Sequence, residues 1–367
     1  MKKATERIKH MTERKIGIGL IGIGGWARYG HIPALKSLDS FVIKGIYSRS
    51  QEKADALAAE LGAEKGYSEL DEMLKADDID LYLVLTPGPT HAAISRKVIE
   101  AGKNVYTEWP LASSVKEVQE ICDLAKEKGV RTMIGMQRNL APSARYFRDL
   151  IRNGYVGDLY NVNLRLGIDA FNEKVHEGKT WFTEPDSYTD PLTIYAGHFS
   201  RLLFSLVGEP KTMQSVLRKN FDSFIVQETG DMIPNMHPTE GIAIGKLENG
   251  ALYTFSFEGA QHHITGVDLE VTGSRGVLRM KNIRGFQNVD DNTITGFHDD
   301  ETDFHDLPVP ESYRYLKDSG LDNSVQDLAY HFDAYAKGEG YTTYEDALKA
   351  TEFIEENLEQ TDWRNIR

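Results

Sequence analysis

The sequence predicts an α/β fold in two parts. A doubly wound parallel sheet comes first, followed by an α+β part with a large, mainly antiparallel open sheet. Three observations carry this reading. Over the first 137 residues, apolar runs of strand length alternate with helical stretches of about 10–15 residues, the pattern of parallel strands joined by crossover helices. From about Arg138 the rhythm changes to strands joined by short turns such as ENGA and GSRG, which is antiparallel pairing. A chain of 367 residues with one cysteine has core enough without disulfide staples. The expected division is a charged tail over 1–14, the parallel-sheet part over 15–137, and the second part over 138–367.

The elements follow in order. KIGIGLIG is a short apolar strand ending at Gly22, and FVIKGIYS is a second strand rich in β-formers. SQEKADALAAELG reads as a helix closed by Gly62. DIDLYLVLT is apolar without alternation, as a strand covered on both faces must be. THAAISRKVIEAG is a helix, KNVYTE a strand, and SSVKEVQEICDLAKEKG a helix with a serine cap at Ser113 or Ser114 and Gly129 as its stop. Cys122 lies on the apolar face of that helix, where a thiol is a small buried hydrophobe. VRTMIGMQ closes the first sheet. In the second part SARYFRDLIRNG is a helix, LYNVNLRLGID a long strand, and LTIYAGHFSRLLFSLVG a helix. Strands follow in KTMQSVLRKNF, TEGIAIGKLENG, ALYTFSFEGA and GVDLEVTGSRGVLRMK. The stretch 286–320, rich in Asp, Asn, Gly and Pro, is expected to be loop, and YEDALKATEFIEENLEQ a final helix.

Composition removes several functions. Fifty-six acids against 42 bases leave a net charge of −14, a surface that repels phosphate backbones and anionic lipid, so no direct nucleic-acid partner is expected. No apolar run has membrane-spanning length, and the charged first residues hold no hydrophobic leader segment; a cytoplasmic protein is expected. No metal site is expected. His262 and His263 are adjacent and face opposite sides of a strand, and Asp290–Asp291 and Asp299–Glu301 lack calcium-loop spacing.

The first strand runs into Gly22-Ile23-Gly24-Gly25-Trp26-Ala27, a G-x-G-x-x-A turn before a helix. Its first glycine permits the tight turn and its second lets the backbone approach a pyrophosphate. The small Ala27 allows close packing of helix on strand, which together make the fingerprint of a Rossmann dinucleotide-binding domain. Pro33 requires that helix to kink or restart. The second strand ends in Ser48-Arg49, with no acid to hold a ribose 2′-hydroxyl; Ser48 and Arg49 suit a 2′-phosphate, so NADP(H) is expected over NAD(H). Thr86-Pro87-Gly88-Pro89-Thr90-His91 and Glu108-Trp109-Pro110 fall at carboxyl ends of parallel strands, where open sheets bind ligands. Thr86 and Pro87 shape a wall there, Glu108 and Trp109 face the cofactor, and His91 either touches a ribose or caps the next helix. Gln137 and Arg138, ending the last strand, are further contacts for cofactor or substrate.

These segments resemble the glucose–fructose oxidoreductase/inositol dehydrogenase/rhizopine-catabolism (Gfo/Idh/MocA) family over nearly the whole chain. The likeness rests on GIGGWARYGHIPAL, TPGPTH, AGKNVYTEWPLA, NGYVGDLYNV, GHFSRLLFSLVGEP and GSRGVLRM. The resemblance implies a Rossmann domain, a second domain whose open sheet serves homo-oligomerisation as a dimer or tetramer, and a sugar, polyol or related carbonyl compound as substrate. The Glu-Trp-Pro at 108–110 and the Gly-His at 197–198 are most similar to the fungal galactose-pathway repressor branch, which implies an NADP-binding sensor without turnover. Two departures stand out. The family reads Glu-Lys-Pro where this chain has Trp109, and an aspartate four residues before its catalytic histidine where this chain has Ile194. His198 matches that histidine and Tyr195 lies one turn earlier, so both are candidates for handling the hydroxyl proton that accompanies hydride transfer. A tryptophan in the lysine's place offers only one weak N–H donor. Two readings stay open: an NAD(P)-dependent oxidoreductase, and a silent NADP-binding regulator acting through a protein partner.

Overall fold

The structure, a computed structural model, describes residues 14–169, 172–184, 187–261, 263–284, 291–316 and 319–360. Residues 1–13 of the expected tail, His262 and Asp290 lie outside the described residues.

Six parallel strands form the first sheet: β1 (Ile16–Ile21), β2 (Phe41–Tyr47), β3 (Lys65–Tyr67), β4 (Leu81–Val84), β5 (Asn104–Glu108) and β6 (Thr132–Gly135). Their spatial order is β3-β2-β1-β4-β5-β6. The order reverses between β1 and β4, and the crevice at the carboxyl ends of these two strands is where such sheets take ligands. All four residues of β4 are buried, which explains the run of apolar residues without alternation. The helices are punctuated as their sequences demand. Ser50 caps Gln51–Leu61 by accepting from Lys53 N at 3.4 Å, and Ser114 caps Val115–Lys128 by accepting from Glu117 N at 3.2 Å. Gly62 (φ 76°) and Gly129 (φ 64°) end these helices in the left-handed region. After the glycine turn the chain winds one π-helical stretch, Ala27–His31, and restarts as an α-helix at Ile32–Lys36, with Pro33 in its first turn, where no amide is needed.

The second part is built on eight strands: β7 (Leu159–Gly167), β9 (Pro210–Arg218), β12 (Glu240–Leu247), β13 (Leu252–Glu258), β14 (Gly266–Gly273), β15 (Gly276–Asn282), β16 (Thr293–His298) and β17 (His305–Asp306). They run in the order β17-β16-β15-β14-β7-β13-β12-β9. Only β7 with β13 is parallel; the other adjacent pairs are antiparallel. A small sheet of β8 (Lys174–Val175), β10 (Ser223–Val226) and β11 (Met232–Pro234) stands beside it. One face of the large sheet is covered by Gly197–Val207 and Tyr344–Gln360: Phe353 stacks on Phe255 at 5.7 Å and meets Phe204 edge-on at 5.6 Å. The other face carries Val216, Ile242 and Ile244 exposed.

Several segments differ from expectation, among them the edge strand Lys65–Tyr67 and the small three-stranded sheet, which the sequence reading does not contain. The stretch 286–320 is not all loop: Thr293–His298 pairs with β15, because the partner strand supplies what local propensity lacks. A helix over Asn323–Lys337 was not foreseen. Asp322 caps it by accepting from Val325 N at 3.1 Å, and it leaves the second part to pack on the first sheet. Val325, Leu328, Ala329 and Phe332 share a core with Ile18, Leu20 and Ile46, and the Phe332 ring lies 5.5 Å from Tyr106 and 5.9 Å from Phe41. Among the described residues no helix is long and apolar enough to cross a membrane.

The same helix buries His331, whose Nε2 accepts from Thr342 N at 3.2 Å and lies 2.9 Å from Thr342 Oγ1. Burial pushes its pKa from the ordinary 6.5 down to about 3; Glu108 pulls the other way and His31 adds to the fall. A base whose folded pKa is depressed contributes stability that is complete above the unfolded value and lost as pH falls toward the folded one. Unfolding free energy is therefore expected to fall by about 1 kcal/mol per pH unit for this residue from roughly pH 6.5 downward. Urea titrations at several pH values check this, and His331→Asn should flatten the slope.

Candidate active site

The site grows out of the turn after β1. Gly22 has φ +94°, and a Cβ there would sit 2.9 Å from Thr86 Cγ2 and 3.0 Å from the Leu85 carbonyl. Both strain and contact forbid a side chain. Gly24 and Gly25 are the opposite case, with nothing within 4 Å of a Cβ position, so their backbone faces open space. Gly22→Ala is expected to cost about 1–3 kcal/mol of stability and to weaken dinucleotide binding at least tenfold; denaturant unfolding and calorimetric titration read the two effects separately.

Two clefts adjoin over this turn and share Gly24, Leu85, Thr86 and Pro87. The one on the β2 side, about 540 Å³, is lined by Gly22, Ser48, Arg49 and Lys53. The larger, about 810 Å³, is lined by Gly25, Trp26, Ala27, His91, Glu108, Trp109, Gln137 and His198. The structure gathers the expected residues around the paired clefts with two exceptions. Tyr195 does not line either; it packs half-buried against the core, its hydroxyl pushed up to about 12 by burial, with Asp169 adding to the rise. Arg138 does not line them either, being buried against Asp327 at 3.4 Å.

The walls are held by specific contacts. His91 has Nδ1 2.7 Å from Pro110 O and Nε2 2.6 Å from Thr86 O, so it ties the two strand ends together. Trp109 donates Nε1–H to Thr193 O at 2.8 Å and is 5% exposed. Its ring lies flush on Gly197, where a Cβ would come within 2.7–2.8 Å of Cζ2, Cε2 and Nε1. Glu108 Oε1 accepts from the Tyr106 hydroxyl and lies 2.8 Å from His31 Nε2. Burial opposes the Glu108 charge, yet the His31 contact and the tyrosine hydrogen bond prevail and hold the carboxyl below its usual range. His198, 7% exposed, is pushed down to about 3, chiefly by burial; Glu108 pulls the other way and Arg138 adds to the fall. It is a neutral imidazole at physiological pH. Gln137 is 3% exposed and its Oε1 has no hydrogen-bond partner among the described residues, although it borders the cleft.

Reasoning from sequence missed several lining residues: Tyr29 on the π-helical stretch, Trp181, Ser187, Thr189 and Arg284 from distant segments, and Asp322 and Ser324 at the start of the helix Asn323–Lys337. Only Tyr29 lay inside a recognised segment. Tyr29 and Trp181 are about half exposed and, with Trp26, give the cleft an aromatic mouth.

A glycine turn open to an approaching diphosphate, one cleft on each side of it, and a buried carbonyl oxygen on Gln137 that suits a carboxamide N–H together fit a nicotinamide dinucleotide. Fold and site define an NAD(P)-binding Rossmann protein. Residues 16–136 match the oxidoreductase family with NAD-binding Rossmann fold (GFO/IDH/MocA), and residues 144–279 match the GFO/IDH/MocA C-terminal domain. The chain belongs to this family. It is 31% identical over 245 residues to 4-carboxy-2-hydroxymuconate-6-semialdehyde dehydrogenase of Sphingobium sp., covering 65% of this chain and 70% of that protein. To dehydrogenase aclE of Aspergillus oryzae it is 29% identical over 211 residues, 55% of this chain and only 57% of that protein. Among solved structures, a super-repressor mutant of Gal80p from Saccharomyces cerevisiae superposes with TM-score 0.84 at 20% identity, covering 95% of this chain and 96% of that one. Levoglucosan dehydrogenase in complex with NADH and levoglucosan superposes with TM-score 0.80 at 19% identity, covering 95% and 97%. Family and dehydrogenase relatives support hydride-transfer oxidoreductase chemistry.

The expectation of NADP(H) over NAD(H) is corrected by these neighbours, since levoglucosan dehydrogenase holds NADH. The physical reason lies in the two residues that suggested it. A serine hydroxyl and a guanidinium can donate to ribose hydroxyls as well as to a phosphate, so a missing acid at the end of β2 does not by itself select the phosphorylated cofactor.

Proposed function

We propose that the chain is an NAD(H)-dependent dehydrogenase of a sugar, polyol or related carbonyl compound, with His198 handling the hydroxyl proton. The observation that carries this is the single cleft in which His198 and Gln137 meet the open glycine turn beneath an aromatic mouth. Ser48 and Arg49 hold the adenosine half, Gly22, Gly24 and Gly25 with Ala27 admit the diphosphate, and Thr86, Pro87, Glu108 and Gln137 surround the nicotinamide half. The bound nicotinamide supplies or accepts the hydride. Trp26, Tyr29 and Trp181 offer flat faces on which the C–H side of a sugar ring packs. His198, neutral because it is buried, accepts the hydroxyl proton as an alcohol is oxidised. Its Glu108 neighbour favours the imidazolium that results. Levoglucosan dehydrogenase has been solved with levoglucosan and with L-sorbose, which supports a carbohydrate as the class of substrate.

The test is a single-turnover reaction. Protein loaded with NAD⁺ or NADH is mixed with sugars, polyols and ketoses, and reduced-nicotinamide absorbance is followed. A stoichiometric change with any of them supports the dehydrogenase. One observation favours a second reading, a cofactor-binding regulator of the galactose-repressor branch acting through a protein partner. Trp109 fills the lysine's place with its N–H committed to Thr193, leaving no cation at that position for a developing alkoxide. Tight cofactor binding without any absorbance change selects that reading.

We further propose a cytoplasmic homodimer or homotetramer joined through the open sheet face, without direct nucleic-acid contact. Val216 and Ile242 are cross-strand neighbours there, with Ile244 on the same face, an apolar patch that a second copy would cover. Sedimentation equilibrium is expected to give a mass at least twice that of the chain, and Ile242→Glu to lower it.

A further inference from the structure

Beneath the larger cleft lies a polar cluster that anchors Glu108 through two partners, His31 and Tyr106, to which the proposed chemistry gives no role. Glu108, the last residue of β5, reaches the cleft with its side chain 19% exposed, while its two partners are wholly buried: His31 on the π-helical stretch and Tyr106 one strand position pair back. His31 Nε2 stands 2.8 Å from Glu108 Oε1 and 3.0 Å from the Tyr106 hydroxyl. Gly135 on the neighbouring strand makes the room, since a Cβ there would sit 2.6 Å from Glu108 Oε1 and 2.7 Å from the Tyr106 hydroxyl. Around the cluster, Trp26, Tyr106 and Phe332 pack edge-on against the His31 ring, with centroids 5.8, 5.4 and 6.2 Å away. Glu108 is therefore fixed in place rather than free to swing toward solvent.

The charges around it sharpen the point. His31, 2.8 Å away, is the nearest group that can carry a positive charge, and its contact keeps the carboxyl ionised; beyond it Trp109 puts no cation beside the carboxylate, His198 is neutral, and Arg138 is answered by Asp327 at 3.4 Å. Asp322, the other carboxylate lining the cleft among the described residues, is engaged as a helix cap by Val325 N at 3.1 Å. Arg284, the cation of the lining, is exposed and so screened by water.

We propose that Glu108, clamped by His31 and Tyr106, is a fixed negative charge that selects the redox state of the cofactor, binding the cationic oxidised nicotinamide more tightly than the neutral reduced one. This rests on the reading that the larger cleft holds the nicotinamide. The two forms of the cofactor differ by one positive charge on that ring, so a carboxylate bordering it acts on one form and not the other. At an effective dielectric of about 20, opposite unit charges several ångströms apart attract strongly enough for a preference of roughly tenfold or more.

The experiment is calorimetric titration of the intact chain and of Glu108→Gln with NAD⁺, NADH and ADP-ribose. Glutamine keeps the shape and still accepts from Tyr106 and His31, so the substitution removes little but the charge. The wild type is expected to bind NAD⁺ more tightly than NADH. The variant is expected to lose about tenfold in NAD⁺ affinity while NADH and ADP-ribose stay within twofold. An unchanged NAD⁺/NADH affinity ratio overturns the inference, as does a parallel loss for ADP-ribose, which lacks the nicotinamide and so reports a structural effect. Should the variant not fold, the wild type alone decides, since equal affinities or tighter NADH overturn the inference. Binding of none of the three overturns the cofactor reading itself.

Discussion

His198→Ala is expected to slow hydride transfer by about 10²–10⁴-fold, the usual worth of a positioned acid or base, while NAD⁺ affinity changes little. Single-turnover absorbance with a competent substrate reads the first quantity and calorimetry the second. The pH profile carries further information. An ordinary histidine base gives a rate that falls below about pH 6.5. Burial puts the His198 pKa at about 3, and a base works above its pKa, so the oxidation rate governed by this residue is expected to stay level as pH is lowered to 5. An acid limb centred near 6.5 that disappears in His198→Ala would show that bound cofactor and substrate restore the imidazole's basicity. A rate untouched by the substitution would remove His198 from the chemistry.

The second large effect is expected at Gly197. Its backbone is the bed on which the Trp109 ring lies, and a Cβ would approach three ring atoms to 2.7–2.8 Å. The ring has no easy retreat, because it belongs to the main core and its N–H is held by Thr193 O at 2.8 Å. Gly197→Ala is therefore expected to cost about 1–3 kcal/mol in denaturant unfolding, the usual price of overpacking. The displaced indole should also disturb His198, the next residue, and lower cofactor affinity. Alanine ordinarily favours a helix over glycine by about 1 kcal/mol, so a stabilised variant would mean that the ring is not seated as described.

Much of the first sheet is legible in the sequence because β1 and β4 are unbroken apolar runs and the helices Gln51–Leu61 and Val115–Lys128 carry their own serine and glycine signals, whereas the edge strand β3, Lys-Gly-Tyr, has none. Gly22 is readable because the turn's geometry there admits few residue types, and Gly24 and Ala27 are readable from their spacing after it. What failed shows where local signals stop. The strand Thr293–His298 sits among turn-forming residues and exists through its pairing with β15. The helix Asn323–Lys337 does carry a cap at Asp322 and apolar residues at Val325, Leu328, Ala329 and Phe332, a signature hidden by the loop-like stretch before it. Trp181, Thr189 and Arg284 come to the cleft through loops whose course depends on the assembled fold. Tyr195 was placed beside His198 by helical spacing, yet the turn there is π-helical and the two residues part company.

The helix that crosses back from the second part has a consequence for how the protein is made. The first sheet is complete when Gly135 has been synthesised, but Val325, Leu328 and Phe332, which seal one of its faces, follow roughly 190 residues later. At bacterial or eukaryotic elongation rates that interval lasts about 10–40 s. For that time Phe41, Ile18 and Leu20 lack their final cover on the ribosome. The core of the first sheet is thus closed by the last fifth of the chain rather than by its own neighbours in sequence.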